Sequence, residues 1–224
     1  FNYQKGRGRE GPNGFLEDFR GSLQTDGYAG YNDFDNKEDI TFLACMAHAR
    51  RKFDQAKDND MIRAEYVLAE MQKLYAIERE AREKEYTFGE RKDIRLQEAL
   101  PILQNLEEWL KKEIIITLPK SKIGKAIAYT LNLWPRLMRY IEDGKYEIDN
   151  NLIENSIRPV ALGRKNYLFA GSHEAAHYAA MMYSFMGTCK INNVEPFAWL
   201  RHVLSVIPDY PANKLDELLP GSAS

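Results

Sequence analysis

The chain has 224 residues, 44% of them hydrophobic, and is therefore long enough to bury a core as one domain with an insertion or as two small domains. Its 31 basic and 33 acidic residues nearly balance, so net charge alone does not indicate a nucleic-acid partner. The two cysteines cannot make a disulfide framework, which favours a reducing cytoplasm. No apolar run approaches the roughly 20 residues of a membrane span. Because the chain begins at Phe1 without Met, we expect it to be a fragment.

The first predicted strand ends in an acidic turn. Residues Phe1–Phe15 are rich in glycine and basic side chains, and we predict a strand end followed by a loop there. Phe19–Asp26 is an extended run that includes Phe19 and Leu23 and leads directly into Gly27. We therefore expect a strand that ends at Asp26 and aims its carboxylate into a cleft.

A second strand and a basic cluster follow. Asn32–Asp39 is polar and turn-rich, and Ile40–Ala47 is an apolar run of strand length whose end could also begin a helix. His48–Phe53 then places Arg50, Arg51 and Lys52 beside apolar residues. This cluster is either a solvated helix start or an edge that binds phosphate.

Three apolar stripes with helical spacing predict three successive amphipathic helices. The residues that form the stripes are Ile62, Tyr66, Leu74, Ile77 and Ala81, then Leu96, Leu100, Leu103, Leu106 and Leu110, then Ile123, Ile127, Leu131, Trp134, Leu137 and Ile141. Pro101 falls at an early turn or a kink of the second helix. We interpret residues 58–143 as a helical insertion, with its charged runs as solvated faces.

Glu154 lies in a second informative stretch, Asp149–Pro159. A helix is predicted to begin at Asn150 or Asn151 and to meet Pro159. Glu154 follows Asn151 by three residues, the spacing of a capping box, in which the glutamate would have a structural role only. Alternatively, Arg158 lies one turn later on the same face and could orient Glu154 or neutralise a phosphate. The spacing leaves both interpretations open.

The remaining elements are a loop and two helices. Ala161–Ser172 places Arg164 and Lys165 among aromatic residues between two glycines, a composition typical of a loop that grips a nucleic-acid backbone. Helices are predicted over Ala175–Cys189 and Pro196–Val206, with a short turn over Leu215–Leu219.

A zinc site is the rival interpretation of the cysteine and histidine residues. Cys45 and His48 have C-x2-H spacing, and His173 and His177 have H-x3-H spacing. The two pairs are far apart in the sequence. A buried thiol and histidines without a metal are therefore the favoured interpretation.

Together, the motifs resemble the insertion sequence 66 family of DDE transposases, over nearly the whole chain. The matching segments, in order, are Leu23–Tyr31, Ala47–Phe53, Asp149–Glu154, Ile157–Asn166 and Leu218–Pro220.

The resemblance implies a catalytic domain over residues 1–182, including the insertion, and a small C-terminal element over residues 183–224. The implied fold class is α/β or α+β, with an RNase H-like mixed sheet flanked by helices. Asp26 corresponds to the second aspartate and Glu154 to the glutamate of three acidic residues that hold two divalent ions, Mg²⁺ or Mn²⁺.

The resemblance also implies DNA partners, both transposon ends and target, and self-association on DNA in the bacterial cytoplasm, with no membrane and no small-molecule substrate. Arg50, Arg51, Lys52, Arg158, Arg164 and Lys165 would then neutralise DNA phosphates.

One catalytic residue of the family pattern is not matched. The first aspartate is expected on a strand upstream of Phe1, and Asp18 is a poor substitute because it lies only eight residues before Asp26. We therefore expect these residues alone to be catalytically inactive. The alternative functions are a non-catalytic DNA-binding or assembly protein derived from a transposase and, less favoured, a plain helical interaction module.

Overall fold

The computed structural model describes residues 1–222 and divides them into two compact units, which we describe separately. One unit comprises residues 8–151, and the other comprises residues 1–7 together with residues 152–222. The described part of the chain is mainly helical with a small parallel sheet, an α+β architecture. None of its helices combines the length and apolarity needed to cross a bilayer.

Two short parallel strands lie near the start of the larger unit. Strand β1 is Gly21–Thr25 and strand β2 is Ile40–Ala44, with Gly21 opposite Ile40 and Thr25 opposite Ala44. The crossover between them contains a 3-10 helix, Ala29–Asn36. The strand predicted over Phe19–Asp26 is present but shorter, since it ends at Thr25, directly before Asp26. The second predicted strand is confirmed, and the end of its apolar run, from Met46, begins a helix.

The first fifteen residues differ from the prediction of a strand end and loop. A short helix, α1, forms over Glu10–Phe15. It is held by tertiary contacts, because Asn13 donates to Asp33 Oδ2 at 3.0 Å and Arg9 pairs with Asp33 Oδ1 at 3.3 Å. Such contacts outweigh the low helix propensity of glycine and proline.

Five helices complete the larger unit and surround one hydrophobic core. They are α2 (Met46–Asp54), α3 (Met61–Glu83), α4 (Phe88–Ile94), α5 (Leu100–Ile116) and α6 (Lys122–Met138). Side chains from α2, α3, α5, α6 and β2 fill the core, including Phe53, Met71, Leu103 and Ile127. Pro101 lies in the first turn of α5, directly after a π-helical turn over Arg95–Ala99.

Three predicted stripe residues are exposed. On α3, Ile62 is 85% exposed and Tyr66 is 38% exposed, and Leu96 is 41% exposed. A π-helical turn over Arg95–Ala99 joins α4 to α5. A π turn contains more residues than an α turn, which changes the face presented by the residues before it. Arg95 and Ala99 are therefore buried where an uninterrupted α-helical stripe predicts Leu96.

The interpretation of every charged run as a solvated face is wrong at one place. Glu78 and Arg95 are 1% and 0% exposed, and Arg95 Nε lies 2.7 Å from Glu78 Oε1. Arg91 pairs with both Glu78 and Glu147, each at 2.9 Å. Burial by itself would raise the pKa of Glu78, but the two guanidinium groups lower it overall. The carboxylate therefore stays ionised inside the fold.

The smaller unit consists of three helices and two 3-10 segments. The helices are α7 (Asn151–Asn166, with Asn151 itself in the larger unit), α8 (His173–Ile191) and α9 (Pro196–Val206), followed by 3-10 turns over Ile207–Asp209 and Ala212–Leu218. Trp199 packs against Phe185 with the rings tilted and their centroids 5.3 Å apart, and its Nε1 donates to the Leu218 carbonyl at 2.9 Å. These contacts hold α8, α9 and the C-terminal segment together.

Helix α7 corrects the predicted loop over Ala161–Ser172. The helix runs through Pro159 and ends at Asn166, so Arg164 and Lys165 lie in its last turn and not in a loop. Proline removes one helical hydrogen bond at a cost of about 3 kcal/mol, and it ends a helix only where the flanking turns do not offset that cost.

Candidate active site

Asp26 occupies the position directly after β1, at the carboxyl end of the strand. Its side chain is exposed, and Oδ1 accepts a hydrogen bond from the backbone N–H of Tyr28 at 3.0 Å. This bond to the residue two positions on closes a local turn and fixes the direction of the carboxylate. Asp26 is thus both accessible to a ligand and held by its own turn.

The backbone around Asp26 is fixed by helix α6. The Tyr129 hydroxyl donates to the Asp26 carbonyl oxygen at 2.6 Å. Burial and the charge of Asp26 raise the pKa of Tyr129 to about 12, which keeps this hydroxyl protonated as a donor. Gly27 has φ +80°, and a Cβ there would lie 2.7 Å from Leu133 Cδ1. Glycine is therefore required both by the backbone angle and by the close approach of α6.

Substituting Gly27 tests this requirement. We expect Gly27→Ala to lower the free energy of unfolding by about 2–4 kcal/mol, since it combines left-handed strain with overpacking against Leu133. The measurement is urea unfolding followed by circular dichroism. The matched control is Gly14→Ala in α1, where nothing lies within 4 Å of the added Cβ. Equal stability of the two variants would contradict the tight turn.

The segment that leads into α7 is fixed beside the carboxyl end of the strand pair. The backbone N–H of Met46, just after β2, donates to the Ile148 carbonyl at 3.1 Å, and the Asn150 N–H donates to Cys45 Sγ at 3.4 Å. Gln24 of β1 donates to the Glu147 carbonyl at 2.9 Å. The strand that ends at Asp26 and the residues preceding α7 are therefore parts of one hydrogen-bonded assembly.

The start of α7 bears on the capping-box alternative for Glu154. In a capping box, the Glu154 carboxylate would accept the backbone N–H of Asn151. That N–H donates instead to Asp149 Oδ1 at 3.1 Å, and the Asn151 side-chain amide donates to Asp149 Oδ2 at 2.8 Å. Asp149 thus takes the donor that a capping role would assign to Glu154. Glu154 lies in the first turn of α7, and Arg158 follows four residues later in the same helix.

The two predicted catalytic carboxylates belong to different compact units. Asp26 lies in the unit of residues 8–151, and Glu154 lies in the unit that includes residues 152–222. Their meeting in one metal site stays a prediction.

The predicted DNA-binding residues fall into two groups. Arg50, Arg51 and Lys52 lie on α2, and the first two line a groove between α2 and α3. Lys52 has its Nζ 5.4 Å from the ring centroid of Tyr129, the residue that holds Asp26. The second group, Arg158, Arg164 and Lys165, is exposed on α7 in the other unit.

The residues of the rival zinc interpretation are also divided. Cys45 is buried and accepts the N–H of Asn150, and burial raises the pKa of its thiol. His173 and His177 lie on α8, in the other unit, where His173 Nδ1 contacts the Tyr3 hydroxyl. Within residues 1–222, no three His, Cys, Asp or Glu side chains are grouped so that they could hold a metal ion.

Several residues of this region were not singled out from the sequence. They are Gln24, Tyr75 and Tyr129, which hold the strand end and the start of α7 through hydrogen bonds to distant residues. Their partners lie 74 to 123 positions away along the chain, so no local pattern marks them. Asp149 carried a signal, because it begins the acidic and amide-rich run that contains Glu154.

Comparison with known proteins identifies the family. The model of the transposase IS66 family matches residues 1–178, and that of the IS66 C-terminal element matches residues 184–220. Two similar proteins of Sinorhizobium fredii are the uncharacterized proteins y4hP, 35% identical over 94% of this chain, and y4qI, 34% identical over 98%. The chain spans 41% and 42% of their respective lengths. No solved structure matches. The chain thus belongs to the IS66 family of transposases.

Proposed function

We propose that the chain forms part of the catalytic region of a DNA transposase, which cleaves DNA strands and joins a freed 3′ hydroxyl to target DNA. The observation that carries the proposal is Asp26, an exposed and anchored carboxylate at the carboxyl end of a parallel strand in a chain of the IS66 family. In open sheets with parallel strands, ligands bind beyond the carboxyl ends of the strands. Asp26 has the position that such a site requires.

The fold of the complete catalytic region is proposed to be RNase H-like. The parallel pair β1 and β2 would then be one part of a larger sheet. Helix α2 follows the second of these strands in the sequence. Since the chain covers about two fifths of its relatives, there is room in the family for further strands. We place the first catalytic aspartate on one of those strands, outside the residues described here.

Asp26 and Glu154 are proposed to act as metal ligands. Carboxylate oxygens are the ligands that Mg²⁺ and Mn²⁺ prefer, so the chemistry of the pair fits such ions. Divalent ions bound there would stabilise the attacking and leaving oxygens of an in-line displacement at phosphorus. The described residues supply two of the three expected carboxylates, and we therefore propose that they do not catalyse transposition by themselves.

The basic side chains are proposed to bind DNA. Arg50 and Arg51 on α2 follow closely in sequence after β2, whose partner strand ends at Asp26. Arg158, Arg164 and Lys165 share α7 with Glu154. Each acidic residue therefore has cations in its own unit that can neutralise phosphates near the reaction centre. Self-association on paired DNA ends is part of the same proposal.

The experiment that tests the proposal compares this chain with a longer family protein that contains it. We expect the longer protein to join a labelled transposon-end duplex to target DNA in Mg²⁺ and to lose that activity in EDTA, and we expect the 224-residue chain to bind DNA without joining it. Joined products are measured on denaturing gels. Strand joining that persists in EDTA would contradict the proposed metal chemistry, and joining by the 224-residue chain alone would contradict the need for a third carboxylate.

A further inference from the structure

A basic groove lies between helices α2 and α3, with a volume of about 580 Å³. Arg50, Arg51 and Asp54 line it from α2, and Tyr75, Arg79 and Arg82 line it from α3. All of these residues lie in the unit of residues 8–151. The groove therefore combines the predicted basic cluster with arginines of the helical insertion. The sequence pattern indicated no function for these insertion arginines.

The charge of the groove is strongly positive. Four guanidinium groups line it against the single carboxylate of Asp54. That carboxylate lies 2.9 Å from Lys57 Nζ, and the hydrogen bond and charge of Lys57 lower the pKa of Asp54. An anion in the groove thus encounters a large excess of positive charge. Guanidinium groups present planar pairs of N–H donors that match the oxygens of a phosphate.

The polar side chains of the groove extend along helix α3. Gln72, Arg79 and Arg82 are exposed and share one face of α3, since they are separated by seven and three residues. Ten residues of α-helix extend about 15 Å, which is several times the roughly 3.4 Å of axis that each nucleotide of one DNA strand occupies. A chain of phosphates matches this extended row of donors better than a single phosphate group does.

Tyr75, which lines the groove, is hydrogen-bonded to the segment that precedes α7. The Tyr75 hydroxyl donates to Asp149 Oδ2 at 2.9 Å, and Asp149 also accepts the N–H of Asn151, the first residue of α7. Burial raises the pKa of Tyr75, so the hydroxyl remains a donor at neutral pH. Asn151 itself lines the groove. A nucleic-acid strand in the groove would therefore pass Asn151, which belongs to the same unit.

We propose that this groove binds the sugar-phosphate backbone of DNA, with Arg79 and Arg82 of the helical insertion as phosphate contacts beside Arg50 and Arg51. The inference rests on the proposed function and deepens it, since it gives the insertion a direct part in holding the DNA. Arg79 and Arg82 bind phosphate and not bases, so their contribution is independent of DNA sequence.

The test is the salt dependence of DNA binding. Fluorescence anisotropy with a short labelled duplex of arbitrary sequence is measured for the 224-residue chain and for the variant Arg79→Gln/Arg82→Gln. We expect the slope of log affinity against log salt to fall by about 2, and the loss of affinity between about 50 and 200 mM salt to become about 12-fold smaller. The matched control is Lys111→Gln/Lys112→Gln, which removes the same charge from exposed positions on α5 outside the groove, and should leave the slope unchanged.

A gain-of-charge variant gives an independent readout. Gln72→Lys places a cation at an exposed position of α3 that lines the groove, and we expect it to increase affinity at low salt and to steepen the slope by about 1. Circular dichroism of each variant verifies folding, and size-exclusion chromatography verifies that self-association is unchanged.

The outcomes separate this inference from the proposed function. Suppose that the unmodified chain binds DNA and that the arginine variant binds it with the same affinity and the same salt dependence. The proposed DNA-binding role of the groove is then wrong, and the transposase proposal stands. If the arginine variant changes self-association and not DNA binding, the groove belongs to a protein interface and the inference is also overturned. If the unmodified chain does not bind DNA even at low salt, both proposals fail.

Discussion

Replacing Glu154 by Gln in a longer family protein that contains this chain is expected to lower the rate of DNA strand transfer by a thousandfold or more. The substitution keeps the size and hydrogen-bonding shape of the side chain and removes only the negative charge. Loss of one anionic ligand from a divalent-ion site removes several kcal/mol of transition-state stabilisation, and about 4 kcal/mol corresponds to about a thousandfold in rate. Asp26→Asn is expected to have an effect of the same order, because both carboxylates would serve one site.

The measurement is the initial rate of strand joining in Mg²⁺ at saturating DNA. Asp39→Asn is the matched control for Asp26→Asn, since Asp39 is exposed and pairs with Arg20 at 2.9 Å outside the proposed site. DNA affinity of all three variants should equal that of the unmodified protein. Strand transfer that survives Glu154→Gln would remove Glu154 from the catalytic set, and retained activity in Asp26→Asn would do the same for Asp26.

The second large effect is expected at the buried ionic network of the helical insertion. Arg95 Nη1 donates to the carbonyl oxygens of Tyr140 and Asp143, and Nη2 donates to that of Tyr146, each at 2.8 Å. Arg95→Met would leave these acceptors without their donor and leave the buried Glu78 with Arg91 as its remaining partner. Breaking a buried ion pair by removing one member costs about 3–5 kcal/mol. We expect a loss of unfolding free energy in that range.

Chemical denaturation of the 224-residue chain measures this loss. Lys92→Met is the matched control, because Lys92 is exposed on α4, the helix that directly precedes Arg95, and is expected to change stability by less than about 0.5 kcal/mol. Neutralising the partner with Glu78→Gln should reduce the additional cost of Arg95→Met, since the two side chains interact directly. A loss of under about 1 kcal/mol for Arg95→Met alone would show that the network contributes little.

The buried ionic network also holds residues next to the candidate site. It ties α3, α4 and the π turn to residues 140–147, and Glu147 directly precedes the segment that is bonded to the ends of β1 and β2. The helical insertion is therefore not an independent appendage of the larger unit. It fixes residues 140–147, which precede the beginning of α7 at Asn151.

Local patterns predicted the elements whose signals are local. The strand end at Asp26 follows from an extended run, with Phe19 and Leu23, that meets Gly27, and the positive φ of that glycine confirms the turn. The helical stripe around Ile127 and Trp134 is buried as its spacing predicts. The beginning of α7 at Asn151 is also confirmed. In each case the deciding physics acts within a few residues of the chain.

Features that depend on contacts between distant residues were not predicted from the sequence. Glu78 follows Met71 by seven residues and Leu74 by four, so it falls on the buried face of α3, a signal that the prediction of solvated charges overlooked. Nothing local, however, shows that Arg95 is its partner. The groove arginines Arg79 and Arg82 share a helix face, but their meeting with α2 depends on packing across the core.

The most direct test of the central claim is the distance between the Asp26 and Glu154 carboxylates in an experimental structure of a longer family protein with DNA and Mn²⁺. If the two residues serve one two-metal site, ions about 4 Å apart with ligands at about 2.1 Å place the carboxylates within roughly 8 Å of each other. We predict this spacing, with the anomalous signal of Mn²⁺ between the two groups. Carboxylates much farther apart, or Mn²⁺ bound elsewhere, would contradict the assignment of Asp26 and Glu154 to a shared catalytic centre.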